Sequence, residues 1–268
     1  MTTGSAMSEE KIQTEVRGHV LLIGFNRPEK YNGFDLEMFS QLASAYGRLD
    51  RDPELRCGLV HANGKHFTAG LDLPQWTPVF ESGAWPDLSE DQCDPLGLIP
   101  GKRVSKPLVF AMHGICYTIG IELALAGDIR VCADNTRFGQ IEVRRGIYAC
   151  GGATVRMVQE FGWANAQRYL LTGDEFDAQE ARRLGFVQDV VPDGQQFECG
   201  LALAEKVARQ APLGVYGSLR SSRLALEQGQ RAAIDRFLPD MAPLLQSEDV
   251  KEGVQSFVER REARFRGC

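Results

Sequence analysis

Residues 113–130 read His-Gly-Ile-Cys-Tyr-Thr-Ile-Gly-Ile-Glu-Leu-Ala-Leu-Ala-Gly-Asp-Ile-Arg. Gly120 to Ala126 is apolar apart from one carboxylate, Glu122, and reads as a short helix. Asp128 to Ala133 returns to a strand, and Pro107 to His113 upstream is strand-like as well. Strand, short helix and strand within one stretch describe an α/β chain, and the alternation continues in both directions.

Toward the N-terminus, Arg56 to Ala62 is another short buried strand, ended by the Asn63-Gly64 turn. Asp35 is an N-cap for a helix with Leu36, Phe39, Leu42, Ala43, Tyr46 and Leu49 at helical spacing. Asn26-Arg27-Pro28 ends the apolar run Val20 to Phe25, because proline cannot donate to a strand ladder. Gly18 suits the tight turn of a hairpin leading into that run. Met1 to about Ser8 reads as a leader outside the fold, with Met7 an alternative start.

Toward the C-terminus, Thr154 to Phe161, Ala164 to Leu171 and Ala178 to Leu184 are helices closed near Gly162, Gly173 and Gly185. Val187 to Val191 is the last strand; beyond it Gln195 to Ala211, Val215 to Glu227, Arg231 to Leu245 and Val250 to Phe265 form a helical tail. Leu201, Leu203, Val207, Phe237, Leu238, Met241 and Leu244 spread over several faces of it. They should pack on the core and on neighbouring subunits. The basic end, Arg260, Arg261, Arg264 and Arg266, reads as a solvated helix end. Residues 74–106 lack a period and carry prolines, so they read as a long loop with short helical pieces. Within it Trp76, Phe80 and Trp85 are assigned to a pocket wall or mobile lid rather than to the core.

Composition removes several function classes. The chain has 268 residues, 43% hydrophobic and 25% charged, enough to bury a substantial core without staples. Its 36 acidic residues outnumber 30 basic ones, for a net charge of −6, and no basic stripe appears, which argues against a nucleic-acid binder. The mean hydropathy is −0.24, no apolar run is long enough to span a bilayer, and the N-terminus lacks a secretory signal. Seven scattered cysteines without C-x-x-C, and four histidines not clustered with them, predict reduced thiols in a cytoplasmic protein and no metal site. The phosphate loop G-x-x-x-x-G-K-[ST] and the nucleophile elbow G-x-S-x-G are absent. No strand leads into G-x-G-x-x-G, and Gly151-Gly152 more simply opens a helix.

Five segments remain, in order: N-R-P-E-K-Y-N (26–32), G-K-H-F-T-A-G-L-D-L (64–73), E-L-A-L-A-G-D-I-R (122–130), F-G-Q-I-E (138–142) and L-T-G-D-E-F-D-A-Q-E-A-R-R-L-G-F-V (171–187). Their order and spacing resemble the crotonase superfamily, the enoyl-CoA hydratase/isomerase enzymes, from about Gly18 to Arg266. The resemblance implies an α/β spiral of ββα units with an acyl-CoA site over 1–194. It also implies a helical region over 195–268 for oligomerisation and active-site closure, in a homotrimer or dimer of trimers. The substrate would be an acyl-CoA thioester; coenzyme A enters as part of the substrate, with no separate cofactor.

By motif position, the resemblance assigns an oxyanion hole to the backbone N–H groups of Leu71 and Ile119. Thr118 to Ile121 stands where the family has a glycine-rich run, so Gly120 is the alternative second donor. The nucleotide is expected near Glu29, Lys30 and Tyr31 and along Lys65 to Ala69, with Thr68, Gly70, Asp72, Leu73 and Gly120 also against the substrate. Gly70 and Gly120 could instead be turn or close-packing glycines. Glu122 and Glu142 are the expected acid–base pair; their residue-level alternative is ion pairing with Arg130, Arg144 or Arg145. Two glutamates favour an enoyl-CoA hydratase over the family's isomerases, CoA-ester hydrolases and decarboxylases, and over a catalytically idle CoA-binding subunit.

Overall fold

The apolar run that begins at Val20 is a strand buried on both faces, and the rest of the fold winds out from it. The computed structural model describes residues 10–268; the leader expected over Met1 to about Ser8 lies outside the described residues. In chain order the early elements are β1 (Ile12–Arg17), β2 (Val20–Phe25), α1 (Leu36–Arg51), β3 (Cys57–Ala62), α2 (Leu73–Ser82), β4 (Leu108–Met112), β5 (Ile115–Tyr117) and α3 (Ile119–Ala126). There follow β6 (Ile129–Ala133), β7 (Arg137–Gly139), α4 (Ala153–Phe161), α5 (Trp163–Thr172), β8 (Glu175–Asp177), α6 (Ala178–Arg183) and β9 (Asp189–Val191). Four helices close the chain: α7 (Gln196–Ala208), α8 (Pro212–Gln228), α9 (Gln230–Leu244) and α10 (Glu248–Glu259).

A six-stranded sheet has the order β1-β2-β3-β4-β6-β9, parallel except for the β1–β2 hairpin that turns at Gly18. A second sheet, β5-β7-β8, lies beside it. Two isolated parallel bridges, Phe34 with Leu71 and Thr68 with Cys116, extend this second layer backwards along the chain. Each turn of the chain therefore lays one strand in the large sheet, a shorter extended piece in the second layer, and then a helix. That is the spiral of ββα units expected above. β5, β7 and β8 are three residues each, too short to show a period, and nothing in the sequence pattern marks them.

Burial follows the strand period. On β2, Leu21, Ile23 and Phe25 face the main core, whereas Val20 and Leu22 join Leu59, Val109 and Ala111 under Leu201 and Ala204 of α7. Covering both faces is what lets these strands be continuously apolar. The Asp35 cap forms as expected, its Oδ1 accepting from Met38 N at 2.9 Å. Among the described residues no helix is long and apolar enough to cross a membrane.

Two expectations need correction. Residues 74–106 do carry a helical piece within an irregular stretch: α2 opens them, with Pro74 in its first turn, where the missing N–H has no intrahelical partner to lose. The aromatics there, however, are not a mobile lid. Trp76 is 0% exposed, edge-on to Phe39 at 5.3 Å, and its indole N–H donates to Phe34 O at 2.9 Å. The irregular stretch that follows is tied down, since Asp94 accepts from the N–H groups of Leu96, Leu98 and Ile99 and Arg156 donates to Leu96 O and Gly97 O. Finally, the basic end is no helix end. α10 stops at Glu259, Arg260 adopts φ +53°, and the last residues fold back, with Arg261 on Glu252 and the N–H groups of Arg266 and Gly267 on Asp249. That hook satisfies carboxylates of α10 rather than reaching outward.

Trp76 thus acts as a core residue under α1. Trp76→Ala is expected to cost about 3–5 kcal/mol in chemical denaturation, whereas a lid residue would cost under about 0.5 kcal/mol.

Candidate active site

Asn32 builds the first wall of the site. It is 0% exposed at φ +51°, and its carboxamide donates to Asn63 O at 2.9 Å and His66 O at 2.8 Å while accepting from Arg27 N at 2.8 Å. Thr68 Oγ1 donates to Asn32 O at 2.7 Å. The chain from Ala69 to Asp72 is then held along the 31–34 segment: Ala69 N donates to Tyr31 O, Phe34 N to Gly70 O and Asp72 N to Phe34 O, each within 2.9 Å. Gly70 N is taken by Thr68 Oγ1 at 3.1 Å. Among the described residues, Leu71 N alone in this run has no acceptor within the protein. Gly70 sits at φ +112°, a conformation that only glycine adopts freely.

The second wall is the step from β5 into α3. Thr68 N donates to Ile115 O and Tyr117 N to Thr68 O, both at 3.0 Å, so the two walls are neighbours in the second layer. Thr118 N is bound to Gly139 O, and Thr118 O accepts from Ile121 N and Glu122 N. Ile119 and Gly120, the first two residues of α3, donate to no protein acceptor among the described residues. Their N–H groups stand at a helix N-terminus, where partial positive charge favours an anion. Gly120 is also a close-packing glycine: a Cβ there would lie 2.5 Å from Thr68 Cγ2.

Glu122 is 5% exposed, with Oε1 accepting from Ala153 N at 3.2 Å. Gly151 lies directly against its carboxylate, leaving no room for a Cβ. Burial first, and the charge of Glu142 second, push its pKa up to about 7. Glu142 stands on the single 3-10 turn after β7 and is half-buried. Burial pushes it up to about 7, against opposing hydrogen bonds from its own backbone N–H and from Gln140 Nε2, the latter at 2.7 Å. Among the described residues its Oε2 is buried without a partner, as is Gln140 Oε1. A cavity of about 130 Å³ opens on Glu142 between Tyr148, Ala149, Thr154 and Leu170. Among the described residues the ion-pair alternative is not found. Arg130 is held by Glu160 at 2.5 Å, Arg144 pairs with Asp174, and Arg145 reaches only a backbone oxygen.

The other expected residues divide. Glu29, Lys30 and Tyr31 form an exposed turn, with the Tyr31 ring 5.2 Å from His66, so this turn does border the exposed Lys65 and the 65–69 segment. Asp72 is engaged by Arg27 at 3.2 Å, and Leu73 opens α2. The sequence expectations give no part to Asn32, Gln140 or Gly151 in shaping the site. Asn32 and Gln140 do carry a usable signal, as members of the N-R-P-E-K-Y-N and F-G-Q-I-E segments.

Residues 15–267 match the enoyl-CoA hydratase/isomerase family. The chain is 34% identical to enoyl-CoA hydratase EchA19 of Mycobacterium tuberculosis, over 94% of each chain. It is 31% identical to the 2,3-dehydroadipyl-CoA hydratase of Escherichia coli, over 97% of this chain and all of the relative. The crystal structure of a probable enoyl-CoA hydratase/isomerase of Mycobacterium abscessus superposes with a TM-score of 0.94 at 44% identity, covering 97% of this chain and 99% of that one. With its spiral fold and full-length match, the chain belongs to the enoyl-CoA hydratase/isomerase, or crotonase, family of acyl-CoA enzymes.

Proposed function

We propose that the protein is an enoyl-CoA hydratase, adding water across the double bond of a 2-enoyl-CoA. The observation that carries this reading is the pair of glutamates, Glu122 buried and Glu142 half-buried, each pushed up to about 7 mainly by burial. Near neutrality such a pair holds one proton between its members. The unpartnered N–H groups of Leu71 and Ile119 receive the thioester oxygen as negative charge develops on it. Ionised Glu122 takes a proton from water as its oxygen bonds to the β-carbon, and protonated Glu142 delivers a proton to the α-carbon. The pair ends with its proton transferred, ready to re-equilibrate. An isomerase needs one base, so the second glutamate speaks for hydration.

Binding of the CoA portion is assigned to the exposed turn of Glu29, Lys30 and Tyr31 with Lys65 and the 68–70 segment, where the CoA phosphates and the thioester arm would lie. Seven unpaired cysteines are consistent with a cytoplasmic setting. Exposed apolar groups on α9, with Phe237 54% and Leu238 80% exposed, border a cavity of about 510 Å³ against α8. We assign this face to a threefold assembly.

Glu142→Gln should lower kcat on crotonyl-CoA by about 10²–10⁴-fold while acyl-CoA still binds, and Glu122→Gln should hurt hydration more than any residual isomerase activity. Near-normal turnover in both variants would defeat the two-glutamate mechanism. The wild-type kcat/KM should fall on the acid side of neutrality, where both carboxyls are protonated, and on the alkaline side, where both are ionised. Lys30→Ala should raise KM with little change in kcat, the mark of lost uniform binding; an unchanged KM would remove Lys30 from the site. Sedimentation at micromolar concentration should show a trimer or dimer of trimers, and a stable monomer would refute the assembly.

A further inference from the structure

Thr118 occupies the joint between β5 and α3, and three observations meet there. Its backbone is at φ +47° and ψ −111°, a region that β-branched residues avoid. Its Oγ1 is buried with no hydrogen-bond partner among the described residues. The same oxygen packs on Gly70, where a Cβ would stand 2.5 Å from it. Thr118 directly precedes the Ile119 N–H, and Gly70 directly precedes the Leu71 N–H. The hydroxyl therefore lies at the seam between the two segments that carry the free donors. Glycine at this position would remove both the backbone strain and the unsatisfied hydroxyl. Neither is compensated within the protein.

We propose that the Thr118 hydroxyl is a third hydrogen-bond donor to the thioester oxygen, acting beside the N–H groups of Leu71 and Ile119. This rests on reading the site as one that stabilises a thioester enolate. A carbonyl oxygen has two lone pairs, which two backbone donors already use. An enolate oxygen has three. The hydroxyl thus finds its acceptor only as the enolate forms, and the hydrogen stays on threonine throughout. An interaction made in the transition state and not in the ground state raises kcat and leaves KM alone.

Three variants separate the donor from the side chain's shape. Thr118→Val keeps the branched shape without the donor, Thr118→Ser keeps the donor with less bulk, and Thr118→Gly removes donor and strain together. The readouts are turnover of crotonyl-CoA and the near-ultraviolet absorbance of acetoacetyl-CoA, which reports enolisation of the bound ligand. Thr118→Val and Thr118→Gly should lose about 10–100-fold in kcat with KM little changed, and should show less enolate. Thr118→Ser should stay within about threefold of wild type. Thr118→Gly should melt no lower than wild type, so that its lost turnover cannot be attributed to unfolding. Wild-type kcat and enolate absorbance in Thr118→Val, or in Thr118→Gly, would overturn the donor role. Wild-type protein that binds acetoacetyl-CoA without enolising it would overturn the enolate reading and this inference together.

Discussion

Two hydrogen bonds hold the site in register: Thr68 N to Ile115 O, and Tyr117 N to Thr68 O. They pair the segment leaving β3 with β5, so that Leu71 and Ile119, far apart in sequence, come to adjacent walls. Everything around Thr68 serves this junction. Its hydroxyl donates to Asn32 O and accepts from Gly70 N, while its methyl group fits under α3 only because residue 120 is glycine. Asn32 in turn commits its whole carboxamide to the loops around it. The donors are backbone atoms placed by backbone pairing, so the side chains of Leu71 and Ile119 need carry no chemistry.

Around α3 the fold treats its buried charges in two ways. Arg130 and Glu160 neutralise one another on the far side of α3. Glu122, on the first turn of the same helix, is offered backbone N–H groups at Gly151 and Ala153, with Arg156 acting on it only through its charge. Its folded pKa lies above the unfolded value, so the folded chain binds protons more tightly between about pH 4.5 and 7. Stability from this group is present at low pH and declines as pH rises through that window. Keeping an unpaired carboxyl inside is thus destabilising at working pH, and the core is extensive enough to tolerate it.

Much of this was legible in the sequence, for physical reasons that differ by element. β2 and β4 are continuous apolar runs, and β3 and β6 nearly so, because both sheet faces are covered, and the Asp35 cap and the closing glycines punctuate the helices. What escaped reading was short or tertiary. β5, β7 and β8 have three residues each and are strands only because neighbours pair with them. α2 reads only as an unplaced helical piece because Pro74 and Pro78 blur its period, and Trp76 looks aperiodic because its partners, Phe39 and Phe34, lie in an earlier turn of the spiral. In the same way, the positions of Glu122 and Glu142 were recognisable, whereas their freedom from arginine partners could only be seen once Arg130 and Arg144 were found occupied elsewhere.

The placement of α7 has a consequence for how the chain acquires its structure during synthesis. From β2 to β9 the strands of the large sheet join in the order in which they leave the ribosome, so the spiral can grow turn by turn. Among the described residues, the face formed by Val20, Leu22, Leu59, Val109 and Ala111 is covered by α7, which follows the last strand. Until that helix emerges, the nascent sheet presents a bare apolar surface. Apolar surface exposed in this way is what makes a partly folded chain prone to aggregation.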